Sequence, residues 1–261
     1  MTKFSANLGF LWKELPLVEA IHAASQAGFD AVECHWPYDT PAEAVARALQ
    51  QTGLVMLGIN TVRGKTGENG LSALVGRERE ARAAIDQAIS YAQAINTPNI
   101  HVMAGFASGD AARATFIKNL EYACAAAEKH AITILIEPLN HYDAPGYFLS
   151  RSAEAKTIIE QVGAANLKLM FDCYHVQIME GDLSRRISEL LPIIGHIQIA
   201  SVPERAEPDR GEIFYPHIYD LLDALDYKQP LGAEYRPKGA SEQSLGWLET
   251  TRASRPSGVR P

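Results

Sequence analysis

Four oxygen-bearing side chains stand at or near the ends of four successive apolar runs. Glu137 closes ITILIE, Asp172 closes LKLMFD, Gln198 lies within HIQIA and Glu234 within LGAEY. An apolar run that finishes in an acid or an amide loses solvation on burial unless its oxygens meet a counter-charge. A divalent cation supplies one. Three carboxylates and a carboxamide oxygen, with no cysteine and no obligatory imidazole, form a hard-oxygen set that suits one Mg²⁺ or Mn²⁺ better than zinc. Taken singly, each acid could as well cap the next helix or pair with an arginine. Taken together, they point to one shared ion, provided the four runs converge.

The neighbouring residues add further chemistry. His175 follows Asp172 by three positions in DCYH, so a turn starting at the end of the run would aim its imidazole into the same pocket. Arg205, in the polar segment VPERAEPDRGE, carries a guanidinium suited to bidentate binding of a substrate carboxylate. His141 and Asp143, in NHYDAPGYF after Glu137, are candidates for contacts with substrate hydroxyls.

Convergence demands a scaffold. Short runs rich in β-branched and aromatic residues begin at Phe4, Ala31, Leu54, Asn99, Ile132, Leu167, His196 and Leu231. Between them, apolar residues recur at helical spacing, as in Leu17, Ile21, Ala24 and Ala27 or Ile218, Leu221, Leu222 and Leu225. Eight strand–helix units with no break in composition predict an α/β fold, a single (β/α)8 TIM barrel over residues 1–251, with its chemistry at the C-terminal strand ends. Asp39, Thr40 and Pro41 read as the start of the second helix and Gly53 as its stop, while Gly28 ends the first. The glycine-rich segment Thr61 to Gly76 reads as a mobile substrate-covering loop. Residues 252–261, RASRPSGVRP, read as a disordered tail.

Composition narrows the function classes. The 261 residues are 47% hydrophobic and 21% charged, enough for a large core, and the net charge of −7 with no basic run argues against nucleic acid as a partner. No apolar stretch approaches the ~20 residues of a membrane span, so the expected setting is the cytoplasm, away from membranes. Three cysteines without CxxC spacing read as buried thiols. Neither GxGxxG nor a P-loop follows any strand, which removes the main support for nucleotide binding.

The strings FSANL from Phe4, GLSALVGRE from Gly70, IEPLNHYDAPGYFL from Ile136, FDCYHVQIMEGDL from Phe171, GHIQIASVPERAEPDRGEI from Gly195 and GAEYRPKG from Gly232 resemble the hydroxypyruvate isomerase family. That family sits among the xylose-isomerase-like TIM barrels, beside ketose 3-epimerases and endonuclease IV. The resemblance runs from about Phe4 to Trp247. It implies that Glu137, Asp172, Gln198 and Glu234 hold the metal and that the glutamates also transfer protons. It further implies that His175 and Arg205 bind substrate, a small hydroxy-keto acid such as hydroxypyruvate. A 2-oxo-tetronate isomerase, a ketose 3-epimerase, a 3-oxo acid decarboxylase and a non-catalytic sugar-acid-binding barrel remain alternatives on the same scaffold, and homo-oligomerisation stays open. Two departures from the family pattern stand out: Trp12 in GFLWKELP, expected to alter substrate choice, and the ending after Glu249.

Overall fold

The structure is a computed structural model that describes residues 2–254. In chain order it comprises β1 (Phe4–Asn7), α1 (Leu17–Gln26), β2 (Ala31–Glu33), α2 (Ala42–Thr52), β3 (Gly58–Asn60), α3 (Glu78–Ala94), β4 (Asn99–His101) and α4 (Gly109–Glu128). There follow β5 (Thr133–Ile136), α5 (Ser152–Val162), β6 (Leu167–Asp172), α6 (Cys173–Met179), α7 (Leu183–Leu190), β7 (Ile194–Ile199), α8 (Tyr215–Ala224), β8 (Leu231–Ala233) and α9 (Gly246–Ser254).

The strands run parallel in the order β2-β1-β8-β7-β6-β5-β4-β3. A parallel bridge between Val32 and Met56, and a bond from Cys34 N to Gly58 O of 3.1 Å, join β2 to β3 and close the ring. The fold is therefore a single (β/α)8 TIM barrel. A parallel sheet covered by helices is buried on both faces, which is why Ile134, Leu135 and Ile136 are consecutive and all inaccessible. The helices bury one stripe each. In α3, Ala81, Ala84, Ile85, Ala88, Ile89 and Ala92 face inward, whereas Arg82, Asp86 and Gln87 face water.

Register places the site. A shift between Leu169 and Met170 in the β6–β7 ladder brings Asp172 level with Gln198, and Gln198 pairs in turn with Gly232 on β8. Gly232 has to be glycine for a steric reason: a Cβ there would lie 2.6 Å from Glu33 Oε1 and 2.8 Å from Gln198 Cγ.

Several local expectations change. Helix α2 starts at Ala42 with Pro41 as its cap and no side-chain capping bond, because Asp39 and Thr40 lie in the preceding turn; Gly53 does end it, at φ 71°. The segment Thr61 to Gly76 is only partly a free loop. From Gly70 onward it is tied to the chain after β4 by Ser72 N to Met103 O (3.3 Å) and Ala73 N to Ala104 O (2.7 Å), with Leu71, Ser72 and Ala73 buried. Its exposed parts are residues 63–67 and 75–76. At the other end α9 runs to Ser254, across the expected boundary at 251, and Arg252 Nη2 lies 3.0 Å from Asp30 Oδ2. The rest of the predicted tail lies outside the described residues. Among the described residues no helix is long and apolar enough to cross a membrane, and all three cysteines are free and buried.

Candidate active site

Glu137 follows β5, Asp172 ends β6, Gln198 lies in β7 and Glu234 follows β8, so four neighbouring strands deliver the four oxygen donors to one end of the barrel. All four are buried. Asp172 caps α6 with Oδ1, which accepts from Tyr174 N at 2.8 Å, and keeps Oδ2 for the site. Capping and site duty therefore coexist in one carboxylate.

His175 sits in the first turn of α6, and its Nε2 is 3.6 Å from Asp172 Oδ2 and 3.9 Å from Glu137 Oε1. These three side chains bring ligand-type atoms within 4.8 Å of one another, so an ion could bridge them. The hydrogen bonding gives the imidazole a different part. Its Nδ1 accepts from the backbone N–H of Asn140 at 3.0 Å, which leaves the proton of the neutral ring on Nε2. That nitrogen is a donor aimed at the carboxylates and at whatever lies between them.

Arg205 adopts φ 53° in the loop after β7, a left-handed conformation held by Arg205 N to Ser201 O (2.9 Å) and Arg236 N to Arg205 O (2.7 Å). Its guanidinium lies between the rings of Phe10 and Tyr174, at 4.7 and 4.9 Å from their centroids. Nη2 reaches Glu234 Oε2 (3.2 Å) and Asp172 Oδ2 (3.4 Å), and Nη1 reaches Asp143 Oδ2 (3.3 Å). The expectation that Arg205 awaits a substrate carboxylate is revised here, because its donors already face protein carboxylates. Asp143 is exposed at the cavity wall and also stands 3.8 Å from Arg236 Nη2. His141 is not brought into the site: it is exposed, with Nδ1 3.1 Å from Met179 Sδ and its ring tilted over Tyr142. Trp12 also points away. Its indole is buried against Phe29 and bonds to Glu242, so Phe10, two residues earlier, is the aromatic of that loop which meets the site.

Beneath the four donors lies a layer of residues that inspection of the last four strand ends missed. Glu33 ends β2 and accepts from Gln198 Nε2 (2.8 Å), Asn7 Nδ2 (3.0 Å), Ser5 Oγ (2.9 Å) and His196 Nε2 (2.6 Å). By taking up the amide nitrogen, Glu33 fixes which way Gln198 faces. Gln198 Oε1 is left without a hydrogen-bond partner. Each glutamate also has a histidine: His35 Nε2 is 2.8 Å from Glu234 Oε1, and His101 Nδ1 is 3.4 Å from Glu137 Oε2. Gly9 makes room for His35, since a Cβ there would fall 2.2 Å from its Nδ1. The signal for Glu33, His101 and His35 was the same strand-end position, applied to β2 and β4.

The electrostatics follow from this packing. Burial, together with Glu234 and Asp172, pushes the Glu137 carboxyl well up, against the pull of Arg205. Burial likewise raises Asp172 to about 7, again against Arg205. Glu33 goes the other way: burial would raise it, but His196, Gln198 and Ser5 bring it down to about 2. Burial lowers His101 to about 3, so its imidazole is neutral at physiological pH. Glu33→Gln should therefore cost about 3–5 kcal/mol of stability, because it leaves His196 buried without its anion. Urea unfolding measures this, and an unchanged midpoint would show that the pair carries no net energy.

Do these residues fit a cation? Three buried acids, Glu137, Asp172 and Glu234, face one arginine, and Glu137 Oε1, Gln198 Oε1 and Glu234 Oε2 accept no hydrogen bond among the described residues. For Glu234 Oε2 the 3.2 Å approach of Arg205 is an ion pair without hydrogen-bond alignment. A buried oxygen that lacks a donor is costly, and a surplus of buried negative charge more so. Of these acids, Glu137 and Asp172 stand with His175 close enough to share one ion, and their carboxylate oxygens suit a divalent cation.

Above the donors opens a cavity of about 170 Å³, whose walls include Phe10, Trp36, Asn60, Arg63, Asn69 and Arg236. A family model described as a xylose isomerase-like TIM barrel matches residues 21–251. The 2-oxo-tetronate isomerase of Cupriavidus necator is 44% identical over 255 residues, covering 95% of this chain and 98% of its own. The hydroxypyruvate isomerase of Escherichia coli is 38% identical over 259 residues, with 97% and 100% covered. A solved structure described as an AP endonuclease of family 2 from Brucella melitensis superposes with a TM-score of 0.93 at 40% identity, covering 97% of this chain and all of that one. With fold and sequence in agreement, the chain belongs to the xylose isomerase-like TIM barrel family and, within it, to the hydroxypyruvate and 2-oxo-tetronate isomerases.

Proposed function

We propose that this protein is a metal-dependent isomerase that interconverts hydroxypyruvate and tartronate semialdehyde, with the four-carbon 2-oxo-tetronate as the alternative substrate. The observation that carries the reading is the pair Glu137 and Glu234. These buried carboxylates come from strands separated by β6 and β7, each has an oxygen free of hydrogen bonds, and both line one cavity.

Isomerisation takes a proton from C3 of the substrate, passes through an enediolate, and returns a proton to C2, while the proton of the C3 hydroxyl moves to the C2 oxygen, so that C3 becomes the aldehyde and C2 bears the hydroxyl. Glu137 and Glu234 would take and return the carbon-bound proton. A divalent ion held by Glu137, Asp172, Gln198 and Glu234, Mg²⁺ or Mn²⁺, would supply Lewis-acid stabilisation of the enediolate charge. The Nε2–H of His175 would be a fixed donor for the developing oxyanion, and the guanidinium of Arg205 would hold Asp172 and Glu234 in position. Phe10 and Tyr174 pack against that guanidinium, which is buried. Glu33 acts one layer down by holding the Gln198 amide in orientation.

Exchange of solvent deuterium into hydroxypyruvate, in D₂O with Mg²⁺ or Mn²⁺, tests the reading. Deuterium should enter at C3 of recovered substrate and at C2 of product. Binding without exchange would assign a non-catalytic barrel, and release of CO₂ would assign the decarboxylase.

A further inference from the structure

The cavity holds three arginines, and they differ in what they already touch. Arg205 faces Asp172, Glu234 and Asp143. Arg236 stands 3.8 Å from Asp143. Arg63, on the loop after β3, lines the same cavity as Glu137, Glu234 and His175, and among the described residues no carboxylate lies within ion-pair distance of it.

Its side chain is nevertheless placed. The guanidinium lies 3.9 Å over the ring of Trp36, whose Nε1 donates to Thr61 O at 3.0 Å, so the loop carrying Arg63 and the ring supporting it are tied together. A guanidinium stacked on an indole keeps its in-plane N–H donors for a ligand. Gly70 N donates to Arg63 O at 2.8 Å, closing the loop so that Asn69 reaches the same wall. Arg63 is exposed as a residue, yet partial desolvation of its guanidinium, with no anion beside it, lowers its pKa, a penalty that an incoming carboxylate would relieve.

We propose that Arg63, with Asn69 beside it, reads the substrate carboxylate, so that selectivity for acids over neutral hydroxy-ketones belongs to the loop after β3 and not to Arg205. This rests on the isomerase reading for the identity of the acid, a short hydroxy-keto acid whose carboxylate adjoins the reacting carbons. Arg205 then positions the carboxylates of Asp172 and Glu234, and Arg63 takes the substrate carboxylate. The division follows from the contacts above.

The test compares the wild type with Arg63→Ala, Arg63→Lys and Arg236→Ala, all in Mg²⁺. Calorimetric titration with glycolate and with glycolamide, its neutral amide, reads carboxylate preference without any turnover. Kinetics on hydroxypyruvate give KM and kcat separately. A hydrogen-bonded charged contact at a partly exposed site predicts that Arg63→Ala raises KM by about 10- to 100-fold, with a far smaller fall in kcat. Its preference for glycolate should collapse while glycolamide binding stays as in the wild type. Lysine should recover part of the preference, since a point charge lacks the planar fork. Arg236→Ala should keep it. An unchanged KM and preference in Arg63→Ala, or loss of preference in Arg236→Ala alone, would overturn the assignment. If the wild type shows no exchange or turnover with either acid yet prefers glycolate through Arg63, the isomerase reading fails and this assignment stands.

Discussion

Replacing Glu234 with glutamine is expected to lower kcat for hydroxypyruvate by about 10²- to 10⁴-fold, the range that a positioned acid–base group contributes. The amide is nearly isosteric, so its oxygen can still occupy the position of one carboxylate oxygen. What it lacks is a site that takes a proton from carbon. One contact should persist: Arg205 Nη2, 3.2 Å from Oε2 in the parent, can donate to an amide oxygen there, while the amide NH2 then faces His35 Nε2, 2.8 Å from Oε1 in the parent, and is accepted by the tautomer protonated on Nδ1. Asp172→Asn should behave differently. Asp172 is capped on one oxygen by Tyr174 N and pairs with Arg205 on the other, which makes it a holding group, and its loss should first weaken ion affinity. Calorimetric Mn²⁺ titration of both variants, beside kcat and deuterium exchange, separates the two effects. Equal loss of Mn²⁺ affinity in both, with exchange retained in Glu234→Gln, would remove Glu234 from proton transfer.

Removal of divalent ions with a chelator should abolish turnover, and Mg²⁺ or Mn²⁺ should restore it. The physical basis is the surplus of buried negative charge, three acids against Arg205. A readout independent of activity follows from linkage: at an ion concentration about 100 times Kd, binding stabilises the fold by roughly 2.7 kcal/mol, seen as a rise in the thermal midpoint. The pH dependence has a definite sign. In the ion-free protein burial holds the Asp172 pKa at about 7 and the Glu137 pKa well above its usual range. Ion binding must then displace protons, so affinity should fall as pH drops below about 7 and rise above it. Full turnover in a verified ion-free preparation would rule out the metal-dependent mechanism, and an affinity that does not vary with pH would contradict the raised carboxyls.

The alternation of apolar runs with helical periodicity was enough to specify the barrel, because a parallel sheet covered by helices allows few other sequence patterns. Once the barrel is given, Glu137, Asp172, Gln198 and Glu234 come to one end of it, since the C-terminal ends of β5 to β8 are neighbours by topology. That part of the site was legible in the chain. The rest depended on contacts across the ring and on loop backbone. Glu33 holds Gln198 from 165 positions away, through the opening that Gly232 leaves, and no local pattern encodes that distance. Arg205 turned out to be committed to protein carboxylates because its left-handed backbone and two flanking rings direct its guanidinium inward. His141 faces outward although Asp143, two residues later, lines the cavity, since a loop has no fixed period to decide which side chains point in. The same reason sends Trp12 into the core and brings Phe10 to the site. Strand ends are set by sequence periodicity, whereas loop side chains take their direction from the partners that the closed barrel brings to them.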